Sequence, residues 1–403
     1  MFKGYKVRLN PTKEENEYLL KIFRLSIRMH NFCLDALKSY YKETDNVLSY
    51  SKVGEIIEDY RKIFHINDSL YPFKSISKIC YSAREFFQKY VDNQTGPYNY
   101  KSFLSAHHSI ELDSSEFYLK DDQLFINAYH SKYKEKGGMK FRVKNFIPKT
   151  NMMYNPRLSY DGIDFYFSAS FKVDEIIKNE ENNKNFSLGI DVGIANWVTL
   201  SNGMVFPNIN DTPRMIKLEK MARDIQRKKS ISRNRTSLEH KRLSNNYLKL
   251  HRRYLILRRK QKDIRRNYCY QVVNQIVNLN PSCICIEDIK VKDLSHENEL
   301  AKQIFEAMFY EFRTILEYKC KWNNIKLIVA SRYYPSSKLC SRCGFKIANL
   351  SLSDRTFICP NCGRSIDRDL NAAINLSKLS KKANMEIPYD DFQRKMQCLT
   401  SEN

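Results

Sequence analysis

Apolar and polar residues alternate in the opening segment, which predicts a β-strand over about the first ten residues. Its apolar positions are Phe2, Tyr5, Val7 and Leu9. After Pro11 the apolar residues recur at three- and four-residue steps to about Lys42, the spacing of one face of a helix. Thr12 followed by Glu15 predicts a capping box at the start of that helix, because each side chain can bond the other residue's backbone N–H.

The helical spacing returns in residues 53–64 and 76–91, so residues 11–114 are predicted to be helical. Residues 115–175 instead contain short alternating segments, which indicate β-strands. The polar run 174–185 that follows them predicts a linker.

Beyond the linker the pattern alternates between strands and helices. The predicted elements are, in order, two strands joined by a turn at 193–196, helical structure from 213 to about 279, a buried strand at 282–289, a helix from about 303 to 322, a strand at 325–332 and a short helix after Asp369. Such alternation favours an α/β domain. The tail from about residue 381 is polar, and we expect it to be frayed.

Composition excludes several classes of protein. The chain has 403 residues, of which 42% are hydrophobic and 13% aromatic, enough to exclude a disordered or collagen-like chain. Gly and Pro, at 11 each, are too few for a turn-rich all-β sandwich. No run approaches the roughly 18 apolar residues of a membrane span, and the charged N-terminus lacks the apolar core of a signal peptide. We therefore expect a cytoplasmic protein (prokaryotic cytosol or nucleoid) with no membrane partner.

The chain carries a net charge of +23, which favours a polyanionic partner such as nucleic acid or an anionic surface. Much of the excess lies between residues 222 and 266, where 17 Lys and Arg accompany three acidic residues. We predict that residues 222–266 form a helix, here called the basic helix, with one apolar face. Its members are Leu243, Leu250, Tyr254 and Leu257.

Basic residues occupy much of the rest of the basic helix. A solvated helix face is the alternative interpretation, but a run of like charges this dense repels itself unless a polyanion neutralises it. We therefore predict a helix that contacts nucleic-acid backbone without reading sequence. The candidate phosphate-binding residues are Lys228, Lys229, Arg252, Arg253, Arg258 and Arg259.

Four of the 11 cysteines form two C-x-x-C pairs with the overall spacing C-x₂-C-x₁₅-C-x₂-C, typical of a zinc ribbon. They are Cys340, Cys343, Cys359 and Cys362. A redox-active motif would need only one C-x-x-C pair, placed beside a βαβ unit, so the two matched pairs argue against it. Because four thiolates leave no open position on the metal, we expect one structural Zn²⁺ and no catalysis there. The other cysteines are scattered, mostly in apolar runs, which indicates reduced thiols in the cytosol.

Three acidic residues occupy apolar settings: Asp191 and Glu287 end predicted strands, and Asp369 starts the short helix. One such acid alone is more often a helix cap or an ion-pair partner, because an unpaired buried carboxylate is costly. Three in one alternating domain predict an RNase H-like nuclease site, where carboxylates from distant elements hold two divalent cations. Oxygen ligands favour Mg²⁺ or Mn²⁺ over zinc. Asp367 competes with Asp369 for the third position.

The chain resembles TnpB, the RNA-guided nuclease encoded by insertion sequences and related to compact type V CRISPR effectors. Three motifs that carry the resemblance are LGIDVGIANWVTLSNG (188–203), CICIEDIKVKDL (283–294) and CPNCGRSIDRDLNAAINLSK (359–378). Further matching segments are residues 5–15, 156–171, 251–266 and 309–344.

The resemblance implies that Asp191, Glu287 and Asp369 form a RuvC-like catalytic triad. Asp369 fits the family's D-x-N-A-A pattern, which favours it over Asp367. The resemblance also implies a domain organisation, namely a β-barrel-like wedge domain (1–10 and 115–180), an inserted helical recognition domain (11–114), an RNase H-like nuclease domain (186–335 and 364–385), an inserted zinc ribbon that binds target nucleic acid (336–363) and a tail (386–403).

The function implied by the resemblance is RNA-guided cleavage of DNA. A guide RNA from the end of a transposable element would pair with the target strand, while the protein reads a short flanking motif in double-stranded DNA. We also expect a functional association with a separate transposase.

Three alternative functions would account for some of the same sequence features. A transposase would use the three acids for DNA strand transfer, and would not copurify with a guide RNA. An RNA-guided DNA-binding repressor would lack one of the acids, whereas all three are present here. A zinc-ribbon transcription factor would leave the three acids unexplained.

Overall fold

The computed structural model describes residues 2–66, 70–104, 107–120, 123–126, 139–142, 153–172, 183–239, 243–288, 303, 305–331, 333–348, 350–351 and 354–383. The chain forms two compact units, residues 1–174 and 175–403. Each unit has a hydrophobic core of its own.

The first unit combines helices with short strands. In chain order its described elements are β1 (Phe2–Arg8), α1 (Lys13–Thr44), α2 (Tyr50–Ile63), α3 (Phe73–Val91), β2 (His108–Glu111), β3 (Phe117–Lys120), β4 (Gln123–Ile126), β5 (Met139–Arg142), β6 (Met153–Tyr160) and β7 (Phe165–Lys172). Within this described part, β1, β7, β6 and β2 form an antiparallel sheet in that order. Strands β3, β4 and β5 form a second antiparallel sheet.

The start of α1 confirms the predicted capping box. The Thr12 hydroxyl accepts a hydrogen bond from the Glu15 N–H, and the Glu15 carboxylate accepts one from the Thr12 N–H. The helix ends where Asp45 adopts a left-handed φ of 55°. The predicted first strand, the three helices and the strands after residue 115 are thus confirmed.

Strand β2 corrects one prediction, because it lies within residues 11–114, which we expected to be helical. Ile110 of β2 is buried and pairs with Leu158 of β6, so the segment completes the first sheet. The prediction was wrong because a strand of four residues is too short to show a reliable alternation.

The second unit alternates between strands and helices, as predicted. Its described elements are β8 (Asn183–Val192), β9 (Asn196–Leu200), β10 (Val205–Pro207), α4 (Pro213–Glu239), α5 (Asn245–Asn278), β11 (Pro281–Glu287), α6 (Phe309–Trp322), β12 (Lys326–Ala330), β13 (Thr356–Ile358), β14 (Ser365–Asp367) and α7 (Arg368–Ala383). Most of the predicted linker, and the tail from residue 384, lie outside the described residues.

The main sheet of the second unit has the strand order β10-β9-β8-β11-β12. Strands β8, β11 and β12 run parallel, whereas β9 and β10 run antiparallel to their neighbours. We predicted two strands over residues 187–206, and the structure has three. The additional turn passes through Gly203, whose φ of 90° is one that glycine adopts without strain.

The basic segment forms two packed helices, α4 and α5. The predicted apolar face through Leu243, Leu250, Tyr254 and Leu257 was wrong, because Leu243 precedes α5 and is 37% exposed. Tyr247 and Leu255 are buried instead. The face shifts because α5 packs against α4 and also against α6. Although α5 has 34 residues, none of the described helices is long and apolar enough to cross a membrane.

The predicted helix from about residue 303 is interrupted at Met308, whose φ of 55° is left-handed, so α6 begins at Phe309. The indole N–H of Trp197 donates a hydrogen bond to the Ala307 carbonyl at 2.7 Å. Because Trp197 belongs to β9, this hydrogen bond connects the residue just before the interruption to that strand.

Candidate active site and four-cysteine centre

The three acidic residues identified in the sequence lie on neighbouring elements. Asp191 is near the end of β8, and Glu287 is the last residue of β11. The two strands are parallel neighbours with Ile190 opposite Ile286, so both acids lie at the same edge of the sheet. Asp369 lies in the first turn of α7, which packs along β8 and β11.

Burial and neighbouring charges raise the pKa of two of these carboxylates. Burial raises the pKa of Asp191 well above its usual range, and the nearby charges of Glu287 and Asp369 raise it further. Burial also raises the pKa of Glu287, with a further contribution from Asp288. Asp191 therefore lies near enough to Glu287 and Asp369 for their charges to act on it.

A divalent cation would remove the cost of this arrangement. Like charges in a poorly hydrated site otherwise take up protons, and a cation that neutralises them keeps the carboxylates ionised. Carboxylate oxygens are the ligands that Mg²⁺ and Mn²⁺ prefer. The donor set of Asp191, Glu287 and Asp369 therefore fits a hard divalent cation.

Asn196, the first residue of β9, is part of the cluster and was missed in the sequence. Its side-chain amide donates a hydrogen bond to Oδ2 of Asp369 at 3.1 Å. This contact fixes one oxygen of the carboxylate and leaves the other for a ligand. An asparagine in a predicted turn is ordinary, so the sequence carried no signal for this role.

Asp367 has a different role. Its Oδ1 accepts a hydrogen bond from the Leu370 N–H at 2.9 Å, so it caps the start of α7. Asp367 is exposed, whereas Asp369 is half-buried beside the other two acids. The geometry therefore favours Asp369 as the third acid.

Close packing fixes α7 against β8. A Cβ atom on Gly189 would lie 1.9 Å from the Ala373 carbonyl oxygen and 2.4 Å from the Ser377 nitrogen. Only glycine allows the helix backbone to approach so closely. Gly189 thus sets the distance between the strand that carries Asp191 and the helix that carries Asp369.

The four cysteines of the predicted zinc ribbon lie together, with all ligand sulfurs within 4.8 Å of one another. Sγ of Cys340 is 3.6 Å from Sγ of Cys362, and the corresponding distance between Cys343 and Cys359 is also 3.6 Å. Tetrahedral zinc with Zn–S bonds of about 2.3 Å separates its sulfurs by about 3.8 Å. The cluster therefore fits one Zn²⁺ ion.

Two turns of the same geometry present these cysteines. The Gly344 N–H donates to the Cys340 carbonyl, and the Gly363 N–H donates to the Cys359 carbonyl, each at 2.9 Å. Gly344 has a φ of 78° and Gly363 a φ of 70°, in the left-handed region. Glycine adopts these values without strain, so the glycine after each second cysteine allows the backbone to turn tightly there.

Hydrogen bonds favour the thiolate form of Cys343. The Phe345 backbone N–H and the Asn361 side-chain amide donate to its sulfur, and they lower the pKa of Cys343 to about 6. The thiolate is the form that binds zinc. Cys343 is therefore ready to bind metal at neutral pH.

The candidate phosphate-binding residues fall into two groups. Arg258 donates to the Glu219 carboxylate of α4 at 2.6 Å and to the Tyr254 hydroxyl at 3.1 Å, so it joins the two helices. Lys229 Nζ lies 4.5 Å from the centre of the Tyr254 ring. The exposed candidates are Lys228, Arg252 and Arg253, and Arg259 is half-buried.

Comparison with solved structures identifies the fold. The chain superimposes on a chain of "Cryo-EM structure of the Cas12f1-sgRNA-target DNA complex" with a TM-score of 0.55 and 14% identity, covering 91% of this chain and 83% of that one. The family profile described as "Cas12f1-like, TNB domain" matches residues 309–376, which contain the four cysteines and Asp369. The fold is thus that of a Cas12f1-like protein.

Sequence relatives cover nearly the whole chain. A protein of Streptomyces pristinaespiralis named "Putative RNA-guided DNA endonuclease" is 28% identical over 380 residues, covering 93% of this chain and 88% of its own. The TnpB-like protein L770 of Acanthamoeba polyphaga mimivirus is 25% identical over 399 residues, covering 94% and 73%. Over nearly its whole length, the chain is thus similar to proteins named as RNA-guided DNA endonucleases or as TnpB-like.

Proposed function

We propose that this protein is an RNA-guided DNA endonuclease of a transposable element. The observation that carries the proposal is the convergence of Asp191, Glu287 and Asp369 at one edge of a sheet in a chain similar to TnpB-like proteins. A curated relative aligned over 93% of the chain is named for the same activity. The partners are a guide RNA from the element's end and double-stranded DNA that carries a flanking motif.

The proposal assigns an RNase H-like, RuvC-type nuclease domain to residues 186–335 and 364–385. The sheet order β10-β9-β8-β11-β12, with β9 antiparallel to three parallel strands, supports this assignment. The four-cysteine ribbon at residues 336–363 lies between β12 and α7 as an insert. In the first unit, we assign a wedge role to the strand-rich parts and a recognition role to the helices.

In the proposed reaction, Asp191, Glu287 and Asp369 would hold the cations. Two Mg²⁺ or Mn²⁺ ions would supply an activated water and stabilise the leaving oxygen. Asn196 keeps the Asp369 carboxylate in one orientation through its hydrogen bond. Burial of Asp191 limits the water around it, which strengthens its attraction for a cation.

The four thiolates of the ribbon would occupy every position on a zinc ion, so the proposed role of that zinc is structural. The proposed backbone contacts of the basic helices come from Lys228, Lys229, Arg252, Arg253 and Arg259. Arg258 is assigned mainly to the pairing of α4 with α5, because its guanidinium bonds Glu219.

Sequencing the RNA that copurifies with the protein tests the proposal. We expect an RNA from the element's end, and programmed cleavage of DNA that matches its guide in the presence of Mg²⁺. Asp191→Ala should abolish cleavage and leave RNA and target binding nearly intact, because the carboxylate holds metal rather than nucleic acid. Asp224→Ala, which changes an exposed acid of α4, is the matched control.

Cleavage by Asp191→Ala within about tenfold of the wild-type rate would contradict the assignment of the site. Absence of a bound RNA, together with DNA strand transfer, would instead support the transposase alternative.

A further inference from the structure

Helix α7 is held on two opposite faces. Asp369, Ala373 and Ser377 are spaced four residues apart and share the face that meets Gly189 of β8. Asn371 is on the other side of the helix, two residues after Asp369. That opposite face meets the segment that leads into the first cysteine pair.

Two buried asparagines make the contact on the opposite face. The Asn371 side chain accepts a hydrogen bond from the Ser341 N–H at 2.9 Å and donates one to the Leu339 carbonyl at 2.6 Å. The Asn375 amide donates to the same Leu339 carbonyl at 2.7 Å and to the Ser336 carbonyl at 2.8 Å. Together they hold residues 336–341, which include Cys340.

The burial of these side chains makes their geometry strict. Asn371 is 0% exposed and Asn375 is 3% exposed. A buried side-chain amide that loses its hydrogen-bond partner cannot form a bond with water instead. Each asparagine therefore holds the helix and the ribbon in one relative position. Lys378, one turn further along the same face, donates to the Ser341 carbonyl and extends the contact.

The ribbon also holds the first turn of α7 directly. The Arg368 guanidinium donates to the Ser351 carbonyl at 2.7 Å, and the Arg368 backbone N–H donates to the Arg355 carbonyl at 2.9 Å. Arg368 immediately precedes Asp369. The residue that we assign as the third acid is therefore fixed by ribbon contacts before and after it in the sequence.

We infer that Asn371 and Asn375 are positioning residues, through which the four-cysteine ribbon sets the position of Asp369. The inference rests on the proposed carboxylate site. Mg²⁺ requires nearly ideal octahedral geometry, so small shifts of one carboxylate weaken its binding. The ribbon, in addition to any contact with nucleic acid, thus acts as a support for the cation site.

The test measures Mn²⁺ binding to the full-length protein freed of nucleic acid. Binding at the carboxylate site is defined as the part that Asp191→Asn abolishes. The test variant combines Asn371→Leu with Asn375→Leu, which removes the hydrogen bonds at similar side-chain volume. The control is Leu379→Ala, since Leu379 is a buried residue of α7 in the hydrophobic cluster that it forms with residues of β11 and β12.

We expect the double variant to keep one zinc per chain and to bind Mn²⁺ about tenfold more weakly, and the control to keep wild-type affinity. Retained zinc with Mn²⁺ affinity within about threefold of wild type would overturn the inference. If the double variant loses zinc, Asn375→Leu alone, which leaves Asn371 in place, must still weaken Mn²⁺ binding. Unchanged binding in that variant would equally overturn it.

The same measurement separates this inference from the proposed function. Wild-type protein with no Mn²⁺ binding dependent on Asp191 would contradict the carboxylate site itself. Wild-type binding that the asparagine variants leave unchanged would contradict only the coupling to the ribbon.

Discussion

Asn196 donates a hydrogen bond to Oδ2 of Asp369 at 3.1 Å, across 173 positions of the sequence. The bond joins the hairpin of β8 and β9 to helix α7. Asn196→Ala removes the donor and frees the carboxylate to rotate. We expect the Mg²⁺ concentration required for half-maximal cleavage to rise about tenfold, with RNA binding unchanged.

The control for this prediction is Asn202→Ala, which alters an exposed asparagine in the next turn of the same sheet. Asn196→Asp should be worse than Asn196→Ala, because it adds a like charge to the carboxylate cluster. An unchanged Mg²⁺ requirement in both Asn196 variants would show that the hydrogen bond has no functional role.

Without metal, Asp191 should destabilise the second unit at neutral pH. Its pKa is raised by burial and then by the charges of Glu287 and Asp369. A carboxyl group whose pKa is higher in the folded state loses its contribution to stability as pH rises through that pKa. Asp191→Asn should therefore melt at a higher temperature than wild type at pH 7 without metal, and the difference should shrink toward pH 4.

Tryptophan fluorescence can follow this unfolding, since both tryptophans, Trp197 and Trp322, belong to the second unit. Adding Mg²⁺ should stabilise the wild type and leave Asp191→Asn unaffected. Equal melting temperatures of the two proteins at every pH without metal would contradict the predicted repulsion.

Gly189→Ala should displace α7 from the sheet. The new Cβ would lie 1.9 Å from the Ala373 carbonyl oxygen, a distance that backbone atoms cannot accept. We expect a loss of about 1–3 kcal/mol of stability or more, together with loss of cleavage. Gly54→Ala is the control, because its Cβ would meet only the Tyr81 hydroxyl at an ordinary 3.6 Å.

Replacing Cys340 or Cys362 by serine should remove the bound zinc and lower the melting temperature of the second unit. A four-thiolate site contributes its binding free energy directly to folding. Metal analysis should give about one zinc per wild-type chain and none in these variants. The control is Cys33→Ser, which changes a buried cysteine of the first unit, and this variant should retain the zinc. Purified wild-type protein that lacks zinc would refute the prediction.

Salt dependence tests the basic helices. Arg252 and Arg253 are exposed on α5, and Arg252→Gln with Arg253→Gln should reduce the slope of log K against log salt by roughly 0.7–0.9 per lost phosphate contact. Arg258→Gln should instead cost about 1–2 kcal/mol of stability, because it breaks the bond to Glu219. If the double variant binds guide RNA and target with wild-type slopes, the alternative interpretation holds, in which these arginines lie on a solvated helix face.

The residues whose chemistry shows in type and spacing were predictable from sequence. The four cysteines needed only their spacing. Asp191 and Glu287 stood out as acids at the ends of apolar strands, and the structure places both at the same edge of the sheet. Asn196 and Asn371 were not recognised as site residues, because their partners are distant in the chain. Their roles arise from packing, which residue type alone does not reveal.

Charge pattern likewise failed to separate two kinds of arginine. Arg258 and Arg252 look alike in the sequence, yet Arg258 bonds Glu219 of α4 while Arg252 is exposed. Strand β10 escaped prediction for another reason, since its three residues give almost no periodicity.

The register of β8 has a consequence for how such chains can diverge. Side chains alternate between the two sides of a strand, and Ile190, which is fully buried, directly precedes Asp191. Deleting one residue of β8 before Asp191 would move the Asp191 side chain to the side of the strand that faces the hydrophobic core. Val192 would then take its place beside the other two acids. Point substitutions along the strand leave the alternation intact. We therefore expect relatives to differ in the identity of apolar residues such as Leu188 and Ile190, to keep glycine at position 189, and to place their insertions and deletions outside this strand.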